Sequence, residues 1–304
     1  MKYLIIGVGG TGGAIGGYLL SENKDVSFIA HGKNKEAMEK DGLTVHTYKR
    51  GTVHVDHPKV FTMEEWEGKA DVIFVCVKWY SIDEVVEFLK KAADKDTLVI
   101  PILNIIGAGE KMQEKLSNCE VLDGVIYICA YLEKPGTIRD LGVAADIVTG
   151  YREKGHNLEK LTACSNEMKK CGVNLLISED IRSAAFEKLS IVSPFASVGT
   201  YYECTAKGLQ RDPEKLQLFK ECVEEIHQIA LAMGLSMRED IVKKNTDILM
   251  SNDPESSASM QKDYLAGRKS EVDGLVYEIV RLGKKWNVPT PAYSKIAKKL
   301  GYQE

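Results

Sequence analysis

No apolar run in this 304-residue chain approaches the roughly 18 residues that a membrane-spanning helix needs, and no internal repeat or low-complexity tract interrupts it. Positive charge is not in excess. The formal net charge of -4 offers no broad basic field, so neither nucleic acid nor an anionic membrane is expected as a partner. Paired cysteines are missing too: the seven that occur (Cys76, Cys119, Cys129, Cys164, Cys171, Cys204 and Cys222) are scattered, with no C-x-x-C. An odd, unspaced set argues against a disulfide framework and for reduced thiols in a cytoplasm. The first apolar stretch, residues 3–6, is too short and too early for a secretory leader. The remaining composition, 44% hydrophobic and 28% charged, is that of a soluble globular protein, long enough for two cores.

Glycine, by contrast, is concentrated where it is informative. The run Tyr3-Leu4-Ile5-Ile6 has the length of one buried strand, and Gly7-Val8-Gly9-Gly10-Thr11-Gly12 follows at the G-x-G-x-x-G spacing. Gly7 permits a tight turn out of the strand. Gly9 lets a pyrophosphate approach the backbone, and Gly12 lets the next helix pack closely. The unpaired N–H groups at that helix's N-terminus favour phosphate. The motif alone is weak, and a glycine-rich turn with no ligand would look similar. Its place directly after a strand and before a small-residue helix, 13–20, favours a dinucleotide site.

The first half alternates strand and helix signals. Strands are expected at 26–29, 71–77, 98–100 and 173–177, with helices at 34–40, 82–93, 110–116 and 157–170. Residues 43–62 read as a β-meander with turns at Arg50-Gly51 and His57-Pro58. Residues 121–132 read as one long apolar strand, with antiparallel additions at 136–141 and 146–148. From Ser178 the texture turns helical, over 178–208, 212–233, 238–250 and 271–285. The expected fold is therefore α/β: a doubly wound Rossmann domain, residues 1–178, followed by an all-helical domain, residues 179–304.

A carboxylate about 20 residues past the glycines would grip the ribose of NAD. This chain has Ala30-His31-Gly32-Lys33-Asn34-Lys35 there, with three potential cations and no acid. That favours a 2′-phosphate, hence NADP, over a solvated basic turn. Lys78, past the 71–77 strand, stands at the sheet edge where ligands gather, and a plain surface lysine fits that position equally well. Lys188 and Glu271 lie in helical segments. From the residues alone they read as a snorkelling lysine and a helix N-terminal acid, although a buried lysine beside a glutamate could act as a proton donor. His46, His54, Asp56 and His57 could be drawn as a metal site, but on an exposed meander they read as solvated polar residues, and no metal is expected.

Several segments change these weights together. They are the terminal glycine motif, Val75-Cys76-Val77-Lys78, Leu103-Asn104-Ile105-Ile106-Gly107, Phe186-Glu187-Lys188-Leu189, Ser259-Met260 through Asp263, Gly267 through Asp273, and Val288-Pro289-Thr290-Pro291. In this order, over nearly the whole chain, they resemble the ketopantoate reductase (2-dehydropantoate 2-reductase) family. The resemblance implies a catalytic Lys188 working with Glu271, and a substrate-contacting Ser259. It implies an Asn104 beside nicotinamide and substrate, and a Lys78 near the adenosine end of NADP. With the glycine loop (Gly7, Val8, Gly9, Gly10, Thr11, Gly12), His31 and Lys33, these form the expected site. The implied reaction is NADPH-dependent reduction of a 2-oxo acid or related ketone, in a cleft between the domains, in pantothenate biosynthesis. A homodimer is compatible with it.

The chain departs from the family at four places. His31 stands where arginine is usual, and Ile105 where a glycine follows the asparagine. Val192 and Ala196 replace asparagines four and eight residues after the lysine. Ser193 and Ser197 lie one step on, rotated by about 100° on a helix. Pro194 is expected to kink that helix. These losses make it a divergent member and leave its substrate open. A non-catalytic NADP-binding sensor and an opine-type dehydrogenase are the alternatives. Retention of Lys188, Ser259 and Glu271 speaks against the sensor.

Overall fold

Residues 1–48, 51–142 and 145–303 are described in the computed structural model, so Arg50 of the expected turn lies outside them. They group into two units. One holds residues 1–103 and 107–181; the other holds 104–106 and the chain from Arg182 onward.

The first unit carries thirteen strands among its described residues. They are β1 (Lys2–Ile6), β2 (Asp25–Ile29), β3 (Leu43–Thr47), β4 (Gly51–Val55), β5 (Lys59–Phe61), β6 (Val72–Val75) and β7 (Leu98–Pro101), then β8 (Glu120–Val121), β9 (Asp123–Tyr127), β10 (Ala130–Lys134), β11 (Thr137–Asp140), β12 (Asp146–Gly150) and β13 (Asn174–Ile177). Its helices are α1 (Gly10–Ser21), α2 (Gly32–Asp41), α3 (Ile82–Ala92), α4 (Ala108–Gln113) and α5 (Glu159–Lys170). Six strands form a parallel sheet in the order β5-β2-β1-β6-β7-β8, which in chain order is the 3-2-1-4-5-6 winding of a dinucleotide-binding fold. Alternation along β1 shows why the run is apolar throughout. Tyr3 and Ile5 pack with α1 and α5, while Leu4 and Ile6 pack with α3, so both faces are covered.

Two expectations change here. The 43–62 stretch is not a meander throughout. β3 and β4 form an antiparallel hairpin, but β5 leaves it to pair parallel with β2 at the sheet edge. The 121–132 stretch is not one strand. It is divided among β8, β9 and β10, which belong to three different sheets. An apolar run in sequence does not mark which sheet each part joins, and here it does not even mark burial, since Tyr127, Cys129, Tyr131 and Leu132 are exposed. Of the added strands, β11 is antiparallel to β10 but parallel to β3, and β12 is antiparallel to β9.

The second unit is helical: α6 (Ile181–Tyr202, whose first residue belongs to the other unit), α7 (Ala206–Arg211), α8 (Pro213–Ala232), α9 (Ile241–Ser251), α10 (Ser259–Leu265), α11 (Glu278–Lys285) and α12 (Pro291–Lys299). A five-residue π-helical turn, Asp273–Tyr277, runs into α11. Pro194 does not break α6, which is assigned as helix over 22 residues. No helix among the described residues is long and apolar enough to cross a membrane.

Candidate active site

In the first unit the chain leaves β1 through Gly7 at φ +92°, a value L-residues rarely adopt. A Cβ there would press on the Cys76 carbonyl, 2.9 Å away, just beyond β6. A Cβ on Gly12 would run into the Gly7 carbonyl, and one on Gly10 into the Ala130 carbonyl, so α1 lies close on its neighbours. Gly9 differs: a Cβ there would meet nothing within 4 Å. Gly9 is also the N-cap of α1, and among the described residues no side-chain cap bond is made there. A bare backbone facing open space at an uncapped helix start suits a pyrophosphate, so the residues present fit that group. Val8 is buried beneath this loop, and Thr11 is half-buried on its first turn.

The loop after β2 carries the other cofactor candidates. His31 and Lys33 are exposed, with His31 as the N-cap of α2. Lys35 is taken, bonded to Glu39 at 2.6 Å and paired with Glu65 at 3.3 Å. Asn34 is committed too. Its amide donates to the Val8 carbonyl at 2.7 Å and its oxygen accepts from the Gly136 N–H at 2.8 Å, which ties this loop to the glycine loop. Lys78 is half-buried beyond β6, where its carbonyl accepts from the Ser81 N–H at 2.9 Å.

In the second unit Lys188 lies in α6, 5% exposed, and its Nζ donates to Asn104 Oδ1 at 2.7 Å. Burial pulls the ammonium down to about 8, while the negative charge of Glu271 works in the opposite direction. Glu271 is itself buried, two residues before the π-helical turn. Asn104 arrives on the short 104–106 segment. Its neighbour Ile105 is buried against Gly274, where a Cβ would collide with the isoleucine side chain. Lys188, Asn104 and Glu271 are thus brought together. Ser259 is not joined to them: it is the first residue of α10, exposed, with no hydrogen bond to any of the three.

Of the two serines that follow the missing asparagines, Ser193 is turned to other partners. Ser193 and Ser197 are fully buried. Ser193 Oγ donates to the Leu275 carbonyl at 2.5 Å and stands 2.5 Å from the Tyr293 hydroxyl. It anchors α6 to the π-helical turn and is not available to a substrate. His46 and His54 sit on the β3–β4 hairpin, bonded to Thr52 at 2.9 Å and Thr44 at 2.8 Å. Cys76 lies half-buried just past β6, its thiol pushed up by desolvation.

Some buried polar residues give no sequence signal. Asn245, 1% exposed on α9, donates to the Ser190 carbonyl at 2.9 Å and to Ser190 Oγ at 2.8 Å. Glu225 on α8 accepts from the Ala292 and Tyr293 N–H groups at 2.6 and 3.0 Å, capping α12. A lone polar residue within a helical pattern reads as a solvated face. Only the tertiary structure shows what it satisfies.

Comparison with known proteins bears on this arrangement. The family model for Ketopantoate reductase PanE/ApbA matches residues 3–154, and that for Ketopantoate reductase PanE/ApbA C terminal matches residues 180–303. The 2-dehydropantoate 2-reductase of Pyrococcus abyssi is 28% identical over 295 residues, which is 96% of this chain and 94% of that one. A PanE/ApbA family ketopantoate reductase from Ralstonia eutropha superposes with a TM-score of 0.88 at 24% identity, covering 99% of this chain and 97% of the other. A D-mandelate dehydrogenase, solved with NADH and anilino(oxo)acetate, superposes with a TM-score of 0.86 at 22% identity, covering 98% and 96%.

Proposed function

The chain belongs to the ketopantoate reductase PanE/ApbA family, and from that premise we propose that it reduces the ketone of a 2-oxo acid with NADPH. The observation that carries this reading is Lys188: buried, hydrogen-bonded to Asn104, and held at about 8 where it can release a proton near neutrality. A reduction needs one hydride and one proton, and the bound dinucleotide supplies the hydride. Lys188 hydrogen-bonds the ketone oxygen and gives it the proton as negative charge develops there. Asn104 aims the ammonium. The charge of Glu271 keeps it protonated against the cost of burial. Gly7, Val8, Gly9, Gly10, Thr11 and Gly12 bind the pyrophosphate, His31 and Lys33 the 2′-phosphate, and Lys78 the adenosine end. Ser259 contacts the substrate from α10. The protein acts in the cytoplasm, and a homodimer is compatible with this reading.

The substrate has a less polar tail than ketopantoate. The wall that would hold its hydroxyl has Val192, half-buried, and Ala196, fully buried, in place of two amides, and Ser193 is committed to Leu275. Leaving a buried polar group unpaired costs about 1–3 kcal/mol.

A panel assay tests both parts. NADPH and NADH oxidation are followed with ketopantoate, 4-methyl-2-oxopentanoate and phenylglyoxylate, each with and without added amine. The expected result is tighter binding of NADPH than NADH, and faster turnover of an apolar oxo acid than of ketopantoate. Ketopantoate turnover with kcat/KM of about 10⁴ M⁻¹s⁻¹ or more would overturn the substrate assignment. Amine-dependent turnover would point to the opine-type reaction, and no turnover on any oxo acid to the sensor.

A further inference from the structure

Pro194 lies within α6, six residues or about 1.7 turns beyond Lys188. A proline inside a helix donates no hydrogen bond, and the carbonyl four residues back loses its partner. That carbonyl is Ser190's, two residues after the lysine. In this structure it is not left orphaned: Asn245 Nδ2 reaches it from α9 at 2.9 Å. The second amide hydrogen goes to Ser190 Oγ at 2.8 Å, and Ser190 Oγ in turn donates to the Glu187 carbonyl at 2.7 Å. A carbonyl accepts only from a donor, so the nitrogen of Asn245 must face it. The preceding residue of α9, Lys244, pairs with the carboxylate of Glu187. Two consecutive residues of α9 therefore hold α6 immediately before and shortly after Lys188.

We propose that Asn245 is the positioning residue for Lys188: it stands in for the N–H that Pro194 lacks, and so fixes the helical turn from which the lysine reaches Asn104. This rests on the reading of Lys188 as proton donor. Asn245 acts through α6, since its amide donates to the Ser190 carbonyl and to Ser190 Oγ. Without its amide, the Ser190 carbonyl must find another donor, and the cheapest way is for the turn to open at the proline, which carries Lys188 with it. The bond count makes the proposal specific. Restoring a backbone N–H at position 194 should make Asn245 dispensable.

The test is a double-mutant cycle of Asn245→Leu and Pro194→Ala in the full-length protein, with melting temperatures recorded to confirm folding. Two quantities are read: kcat on the fastest oxo acid of the panel, and the pH midpoint for acetylation of Lys188 by acetic anhydride, followed by peptide mass spectrometry. Asn245→Leu alone should lower kcat roughly tenfold, the scale of one lost buried hydrogen bond, with KM for NADPH unchanged. It should also move the labelling midpoint upward, toward an ordinary lysine. In the Pro194→Ala background the same change should alter neither. Equal effects in both backgrounds, or a fall in melting temperature with kcat and midpoint unmoved, would overturn the proposal. Should Asn245→Leu not fold, Asn245→Ala, smaller and likewise without a donor, is read in the same way. The labelling arm needs no turnover. Failure of every oxo acid in the panel would therefore count against the reductase reading, while the midpoint still decides the role of Asn245.

Discussion

In the proposed reaction a single lysine supplies the proton. Lys188 is 5% exposed and held at about 8, because desolvation outweighs the attraction of Glu271. A donor must be protonated to act in reduction. The reductive kcat is therefore expected to hold below pH 8 and fall as the pH rises through about 8, as the ammonium is lost. Lys188→Ala should lower kcat by roughly two orders of magnitude or more and remove that limb of the profile. NADPH affinity should change little, since the glycine loop does not involve this side chain. A loss below tenfold, or an unchanged pH limb, places the proton donor elsewhere. The lysine itself was legible only through resemblance. One lysine among apolar residues has no pattern to distinguish donor from surface, and neither its burial nor its bond to Asn104 is written in local spacing.

At the scale of elements, legibility followed burial. β1 and β6 are covered on both faces and announce themselves as apolar runs, and the glycine loop announces itself by spacing. The strands between 120 and 134 merged in the sequence because nothing local marks where the chain changes sheets. The departure at Ile105 was visible, but not its meaning: its side chain occupies the space above Gly274 in the π-helical turn that follows Glu271. This contact docks the segment bearing Asn104 onto the element after Glu271. Gly274→Ala should therefore push Ile105 away and loosen Asn104, with kcat falling roughly tenfold, since overpacking a filled site costs about 1–3 kcal/mol. Adding Ile105→Ala should return part of the loss. Steady-state kinetics of the two singles and the double measure this coupling, and strictly additive losses would show that the two positions act independently.

For the molecule as a whole, one buried acid should leave a mark on stability against pH. Glu225 is 7% exposed, and its carboxyl is raised to about 7. Desolvation drives this, against the pull of the Tyr293 and Ala292 N–H groups that favour the charged form, and Glu221 adds a little. In the unfolded chain the same group ionises near the ordinary carboxylate value of about 4.3. Between that value and about 7 the native state holds a proton that the unfolded state has released. Stability contributed by Glu225 is therefore fully present below about 4.3 and is lost as the pH rises from there through about 7. The span corresponds to a loss on the order of 3 kcal/mol. The consequence reaches beyond α12, because Tyr293 also meets Ser193, which anchors α6 to the π-helical turn. Urea unfolding of wild type and of Glu225→Gln at pH 5 and pH 7.5 isolates the effect, since other titrating groups are common to both proteins. The glutamine variant should be the less stable at pH 5, where it forgoes one acceptor for the α12 N–H groups. Its disadvantage should shrink or reverse at pH 7.5, where the wild type must bury a charge. Parallel pH dependence in the two proteins would mean that Glu225 is ionised in the native state throughout, with its two N–H partners outweighing burial.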